Sequence, residues 1–281
     1  CSKNTAPAIA TAALHTFSES EDPILLILPS DHLIKNNRNF LESIENGRLS
    51  ALRGFIVTFG IKPNNPATGY GYIKSEEYNN GKTPKPYQIK EFIEKPKKEL
   101  AKKFIQDNNY TWNSGIYMAK ASTIINELEK FMPEINIHCK ESLDRKTKDL
   151  DFERLNKEEF AKCPEISIDK AIMEKSSLGV VFPLDVEWSD IGGWQSFWEN
   201  SKKDESGNAI VGDAMQISSK NCLISSNSRL TVGLGLEETV IIETNDAVLV
   251  AKKSESENVK SLVNYLKNLK RNESQENQVV Y

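Results

Sequence analysis

The hydrophobic and polar positions of this chain fall into two textures. Up to about residue 203, short apolar runs alternate with stretches whose apolar residues recur at helical spacing. Ala8 to Phe17 predicts a short helix. Ile24 to Leu28 is an unbroken apolar run closed by Pro29, the pattern of a central strand covered on both faces. A helix from about Asn36 to Ala51 and a second apolar strand, Phe55 to Phe59, follow. This order predicts a βαβ unit and a parallel sheet with helices on both faces. Extended pieces are expected at Gly71 to Lys74, Tyr87 to Glu94, Tyr110 to Met118 and Val180 to Phe182. Helices are expected at Lys97 to Asp107, Ser122 to Phe131 and Trp194 to Asn200, with a charged, mainly helical region over Pro133 to Leu155. Ser167 is placed to cap a helix from Ile168 to Ser176.

After Gly207 the texture changes. Asn208 to Val250 reads as short strands broken by Gly, Asn and Ser, with no helix. A helix from Glu255 to Leu269 then carries Val259, Leu262, Val263, Leu266 and Leu269 as an apolar stripe. The expected organisation is an α/β domain over 1–203, a small β-rich domain with its helix over 204–270, and a linker-like tail over 271–281.

Composition narrows the function. A net charge of −4 argues against a nucleic-acid partner. No apolar run approaches the roughly 20 residues that span a bilayer. Four scattered cysteines without a Cys-x-x-Cys pair, and only three histidines, argue against structural zinc and for a reducing cytoplasm. Oxygen-ligand chemistry is the remaining theme.

Asp31, in Pro29-Ser-Asp-His32, sits where a buried strand ends, a place where α/β sheets gather ligands; it is equally a helix cap. Asp190, in Trp188-Ser-Asp-Ile-Gly-Gly-Trp194, lies at a glycine turn that could approach a ligand or simply turn the chain. Two such carboxylates suit Mg²⁺, but a separation of 190 − 31 = 159 residues does not by itself bring them together. Gly69 and Tyr70, in Thr68-Gly-Tyr-Gly-Tyr72, form a turn against a nucleotide or a packed tyrosine corner. Glu94 and Lys95 stand side by side before Pro96; they share a pocket only if the strand breaks there, and are otherwise a solvated charge pair. Asn113, in Trp112-Asn-Ser-Gly-Ile116, is either an amide at the tip of a pocket or a bulge. Gly233-Leu-Gly235 reads as a turn.

Together with Asn4-Thr-Ala-Pro-Ala8 and Ser167-Ile-Asp169, these segments, seven in one order, resemble the bacterial mannose-1-phosphate guanylyltransferases. The resemblance implies a Rossmann-like nucleotidyltransferase domain and a small C-terminal domain of left-handed β-helix character. It implies conversion of GTP and mannose 1-phosphate to GDP-mannose and diphosphate with Mg²⁺. Asp31 and Asp190 would hold the metal, and with Lys95 they form the implied catalytic set. Glu94 and Asn113 would bind mannose hydroxyls, and Lys95 the sugar phosphate. Gly69, with Tyr70, would lie against the nucleotide sugar, and Asn4 and Thr5 near the guanine.

The family's glycine-rich phosphate loop is expected to precede Cys1, so the 281 residues alone are expected to be inactive. Asn277 to Tyr281 resembles the linker before a cupin-type isomerase domain in bifunctional members. Whether the parent carries that domain, and whether the protein is a homo-oligomer, stays open. The competing readings are another sugar-1-phosphate nucleotidyltransferase and a non-catalytic sugar-nucleotide-binding subunit.

Overall fold

A computed structural model describes residues 2–75 and 85–274, so Cys1 and the linker-like segment Asn277 to Tyr281 lie outside the described residues. The chain divides into two compact units: residues 1–30 with 34–188, and residues 31–33 with 189–281.

The first unit contains α1 (Thr5–Glu19), β1 (Ile24–Ile27), β2 (Leu33–Ile34, which begins in the second unit), α2 (Asn37–Leu52), β3 (Ile56–Ile61), β4 (Tyr72–Ser75), β5 (Tyr87–Ile93) and α3 (Lys98–Phe104). It continues with β6 (Tyr110–Lys120), α4 (Ala121–Phe131), α5 (Pro133–Asp144), β7 (Thr147–Asp149), β8 (Phe152–Arg154), α6 (Lys157–Ala161), β9 (Gly179–Pro183) and β10 (Trp188–Ser189). Its main sheet has the order β1-β6-β3-β9-β5-β4. Helices cover both faces. Ala6, Ala10, Ile124, Leu128 and Ile135 of α1, α4 and α5 join one core, while Ala51, Ala101 and Phe104 of α2 and α3 join the other. Adjacent strand residues divide between these cores, as with Ile56 and Val57 or Val181 and Phe182, which is the period of two that a strand imposes.

Two expectations change here. The sheet is mixed: β3 and β9 run parallel, but β6 pairs antiparallel with both β1 and β3. The Ile24 to Leu28 run is not a central strand; among the described residues β1 is an edge, with Leu26 41% and Leu28 50% exposed. The central strand is β3, every residue of which is buried. Both runs are aliphatic, so hydropathy could not separate them; the insertion of β6 between them does.

Locally, α2 is capped by Asn36, whose side chain accepts from the Asn39 amide, and not by Asp31. The charged stretch after Pro133 is helical only to Asp144, and then forms the β7–β8 hairpin. In place of the helix from Ile168 to Ser176 stands a five-residue π turn, Asp169–Met173, with Ala171, Ile172 and Met173 buried. The Ser167 hydroxyl does accept from the Lys170 amide, at 3.5 Å.

The second unit carries α7 (Trp194–Asn200), β11 (Ala209–Ile217), β12 (Leu223–Leu234), β13 (Thr239–Glu243), β14 (Val248–Lys252) and α8 (Val259–Asn268). Here β11, β12 and β13 stack in parallel and β14 returns antiparallel. Gly233 lies inside β12, and the turn proper comes at Gly235, whose φ is +66°. The last helix starts as a 3₁₀ turn over Lys253–Asn258, and its stripe is partly exposed, with Leu262 at 42% and Leu269 at 56%.

Candidate functional site

A cavity of about 430 Å³ in the first unit is lined by Asn4, Thr5, Glu94, Lys95, Ser167, Asp169 and Lys170, with Glu165 and Ile166. Its first wall is the end of β5. That strand stops at Ile93, and Lys95 adopts a left-handed backbone with φ +47°. This break lets neighbouring residues face one pocket, where a continuing strand would point them apart. The Lys95 ammonium lies 3.3 Å from the Glu94 carboxylate. Behind Glu94, a Cβ on Gly71 would come within 2.8 Å of its Oε2, so only glycine fits there without displacing the carboxylate.

The second wall is the π turn, held by a network reaching into β6. Tyr117 Oη and Asn113 Nδ2 both donate to Asp169 Oδ1, the latter at 3.0 Å. Asn113 Nδ2 also donates to Tyr117 Oη at 2.8 Å, while Asn113 Oδ1 accepts from Thr58 Oγ1 at 2.9 Å. The register of β3 against β6 slips between Thr58 and Gly60, and Gly115 has φ +72°. Asn113 therefore sits on a bulge, and the bulge aims its amide at Asp169. Asn113 does not line the cavity, and its two N–H groups are engaged by Tyr117 and Asp169.

The third wall is the start of α1. Asn4 Oδ1 accepts from the Thr5 amide and caps the helix, and Thr5 Oγ1 accepts from the Ile168 amide at 2.9 Å. The structure thus brings Asn4, Thr5, Glu94 and Lys95 together.

Electrostatically, burial pushes the Glu94 carboxyl above its ordinary range, and the Asp169 carboxylate pushes it further; Lys95 and Lys170 oppose this. Burial likewise pushes the Tyr117 phenol well up, helped by Asp169. Two carboxyls and two ammoniums around one polar cavity suit a ligand bearing hydroxyls and a phosphate. Sequence reasoning missed Asp169 as a wall residue, along with Tyr117 and Lys170. The Ser167-Ile-Asp169 motif was the available signal, but its helical reading hid the side chain's direction.

Asp31 and Asp190 belong to the second unit. Burial lowers the affinity of His32 for a proton, while the Asp31 and Asp190 carboxylates both raise it, so the two acids act on one imidazole. β2 pairs with β10, so the segments that carry Asp31 and Asp190, 159 positions apart, run side by side. The Asp190 turn is tight: Ile191 has φ +42°, unusual for a β-branched residue, and the Gly192 amide donates to Asp190 Oδ1 at 3.1 Å. A Cβ on Gly192 would meet Asp190 Oδ2 at 2.6 Å. Two carboxylates near one imidazole offer oxygen donors of the kind that Mg²⁺ takes.

Gly69 is exposed with open space around it. Tyr70 stands edge-on to Trp112 and Trp188, with centroids 4.9 and 5.3 Å away, and is part of the core margin. Neither lines the cavity. No helix among the described residues is long and apolar enough to cross a membrane.

Comparison with known proteins gives a consistent picture. The family described as nucleotidyl transferase matches residues 1–207, and the mannose-phosphate isomerase/GMP-like β-helix domain matches residues 212–266. Mannose-1-phosphate guanylyltransferase 2 of Escherichia coli O157:H7 is 44% identical over 279 residues, covering 97% of this chain and 58% of that protein. Mannose-1-phosphate guanylyltransferase of Klebsiella pneumoniae is 41% identical over 279 residues, covering 99% of this chain and 59% of that protein. The chain thus spans less than two thirds of the length of these relatives. A crystal structure described as mannose-1-phosphate geranyltransferase from Thermus thermophilus matches with a TM-score of 0.79 and 26% identity, over 95% of this chain and 76% of the other. A nucleotidyl transferase model over residues 1–207, followed by a match to the β-helix domain over residues 212–266, means that the chain belongs to the nucleotidyl transferase family.

Proposed function

We propose that this site serves transfer of the guanylyl group of GTP to mannose 1-phosphate, giving GDP-mannose and diphosphate, and that the cavity at Glu94 and Lys95 takes the sugar phosphate. The observation that carries this reading is the alternation of acid and ammonium around one polar cavity: Glu94 and Asp169 against Lys95 and Lys170. A carboxylate accepts from vicinal hydroxyls, and an ammonium meets a phosphate as a point charge. Asn113 and Tyr117 act one layer behind, fixing Asp169. Asn4 and Thr5 complete the rim; Gly69 and Tyr70 are assigned to the nucleotide side by kinship alone.

In the reaction, an oxygen of the sugar phosphate attacks the α-phosphorus of GTP in line, and diphosphate leaves. The attacking phosphate is ionised at neutral pH, so no general base is needed. What the protein contributes is positioning and charge: Glu94 orients the sugar, and Lys95 offsets the repulsion between two anionic phosphates. Asp31 and Asp190 would hold Mg²⁺, which supplies further neutralisation of phosphate charge when bound. The setting proposed for this activity is the cytoplasm, whose reducing milieu suits the free thiols of Cys139, Cys163 and Cys222.

The test is calorimetric titration of the chain with mannose 1-phosphate, glucose 1-phosphate and free mannose. The expected order is mannose 1-phosphate tightest, with a loss of about 30-fold or more in Lys95→Ala. Equal or tighter binding of glucose 1-phosphate would reassign the sugar, and unchanged binding in Lys95→Ala would remove the site.

A further inference from the structure

Helices α5 and α6 bring together three side chains that guanylyl transfer does not use. His138 and Glu141, one turn apart on α5, face Glu159 of α6, and one donor atom from each lies within 4.8 Å of the others. Nδ1 of His138 is sealed from water and has no hydrogen-bond partner. A carboxylate oxygen of Glu141 stands 3.8 Å from it, too far for a hydrogen bond. An orphaned buried imidazole nitrogen is costly and calls for a physical reason. Glu159 is only 5% exposed. One imidazole nitrogen and two carboxyl groups thus converge on one region, where a cation could serve all three.

We propose that His138, Glu141 and Glu159 form a binding site for a divalent transition metal of the zinc class, clasping α5 to α6. One imidazole nitrogen with two carboxylate oxygens is a donor set that suits zinc, whereas Mg²⁺ prefers oxygen alone. Zinc with bonds of about 2.0–2.2 Å sets neighbouring donors about 3.4 Å apart, so side-chain rotation closes the site without moving a helix. Arg145 and Lys162 each reach Glu159 at 2.7 Å, but their side chains are 62% and 55% exposed and can withdraw into water as the metal's charge arrives. Three protein ligands leave a fourth position for water. The clasp bears on the sugar cavity because α6 leads, through Cys163 and Pro164, into the segment carrying Glu165, Ser167 and Asp169.

The test takes the whole 281-residue chain, stripped with a chelator, and titrates it with Zn²⁺ against a chromophoric competitor. One zinc per chain is expected at micromolar concentration or below, with a higher Tm and no competition from millimolar Mg²⁺. His138→Gln and Glu141→Gln should each weaken binding at least tenfold. His32→Gln, which removes the imidazole between Asp31 and Asp190, should leave it unchanged. Co²⁺ in place of zinc reports nitrogen ligation by its visible absorption, independently of any effect on folding. Binding that survives His138→Gln, binding that disappears in His32→Gln, or no stoichiometric binding at about 100 μM zinc each overturns the proposal.

Discussion

Glu94 in the α/β unit and Glu243 in the β-rich unit are both largely buried carboxylates, and the protein treats them in opposite ways. Glu243, 2% exposed, accepts from Ser226 Oγ at 2.9 Å, from the Asn227 and Ser228 amides at 3.0 and 2.9 Å, from Ser228 Oγ, and from Arg229 Nε at 2.9 Å. These donors push its pKa down to about 2. Glu94 is met by the Lys95 ammonium, faces the Asp169 carboxylate, and is pushed up by burial. A carboxylate whose oxygens are filled from within is structural: it locks the 226–229 turn onto β13. A carboxylate held in a cavity against another carboxylate is destabilising until a ligand supplies the donors. Placing such a group there is the mark of a binding site.

The sharpest way to break this contrast is Glu243→Ala, which strands the Arg229 guanidinium and two amides. Its expected effect is the largest, a fall in Tm of roughly 5–10 °C for the β-rich unit, with mannose 1-phosphate binding unchanged in calorimetry. Glu94→Gln should do the reverse. Binding should weaken about tenfold to thirtyfold, while Tm at pH 7 holds or rises slightly because an unfavourable charge is gone. A clear fall in Tm with intact binding would exchange the two roles.

Smaller is the effect of Tyr117→Phe. It removes one donor to Asp169 and should weaken sugar-phosphate binding several-fold, with a stability cost of about 1 kcal/mol, measurable by denaturant titration. The smallest effect is in the pH dependence, where the signs differ. Glu243, with its folded pKa depressed, contributes stability that is present above about pH 4.5 and lost as pH falls toward 2. Glu94, with its folded pKa raised, contributes stability at low pH that is lost as pH rises through that raised value. Acid unfolding of wild type beside Glu243→Gln and Glu94→Gln separates these, since only the first variant should flatten the acid limb.

Much of this was legible in the residues. The run at Phe55 to Phe59 marked a strand, Trp194 to Asn200 was a helix end to end, and the loss of helical spacing after Gly207 marked the β-rich unit. Pro96 announced a break beside Glu94 and Lys95, but the residues alone favoured a solvated charge pair over a shared pocket. What could not be read was anything set by pairing between distant strands. The Ile24 run became an edge because β6 inserts beside it, and the aim of Asn113 depends on a register slip against β3. Asp169 was hidden for a similar reason: a π turn and a helix share their hydrophobic spacing over five residues. The pairing of Asp31 with Asp190 as metal ligands rests on kinship, and the β2–β10 pairing brings only their segments side by side.

The bond between Thr5 Oγ1 and the Ile168 amide joins residues 163 positions apart and closes one wall of the cavity. Loop closure of that span is entropically expensive and slow, so contacts of this kind form after local helices and hairpins. During synthesis the cavity therefore lacks its second wall until Lys170 has left the ribosome, and the sugar-phosphate pocket cannot be complete before that moment. Ligand in the cell thus has nothing to grip on the nascent chain, and any ligand-assisted folding must act late.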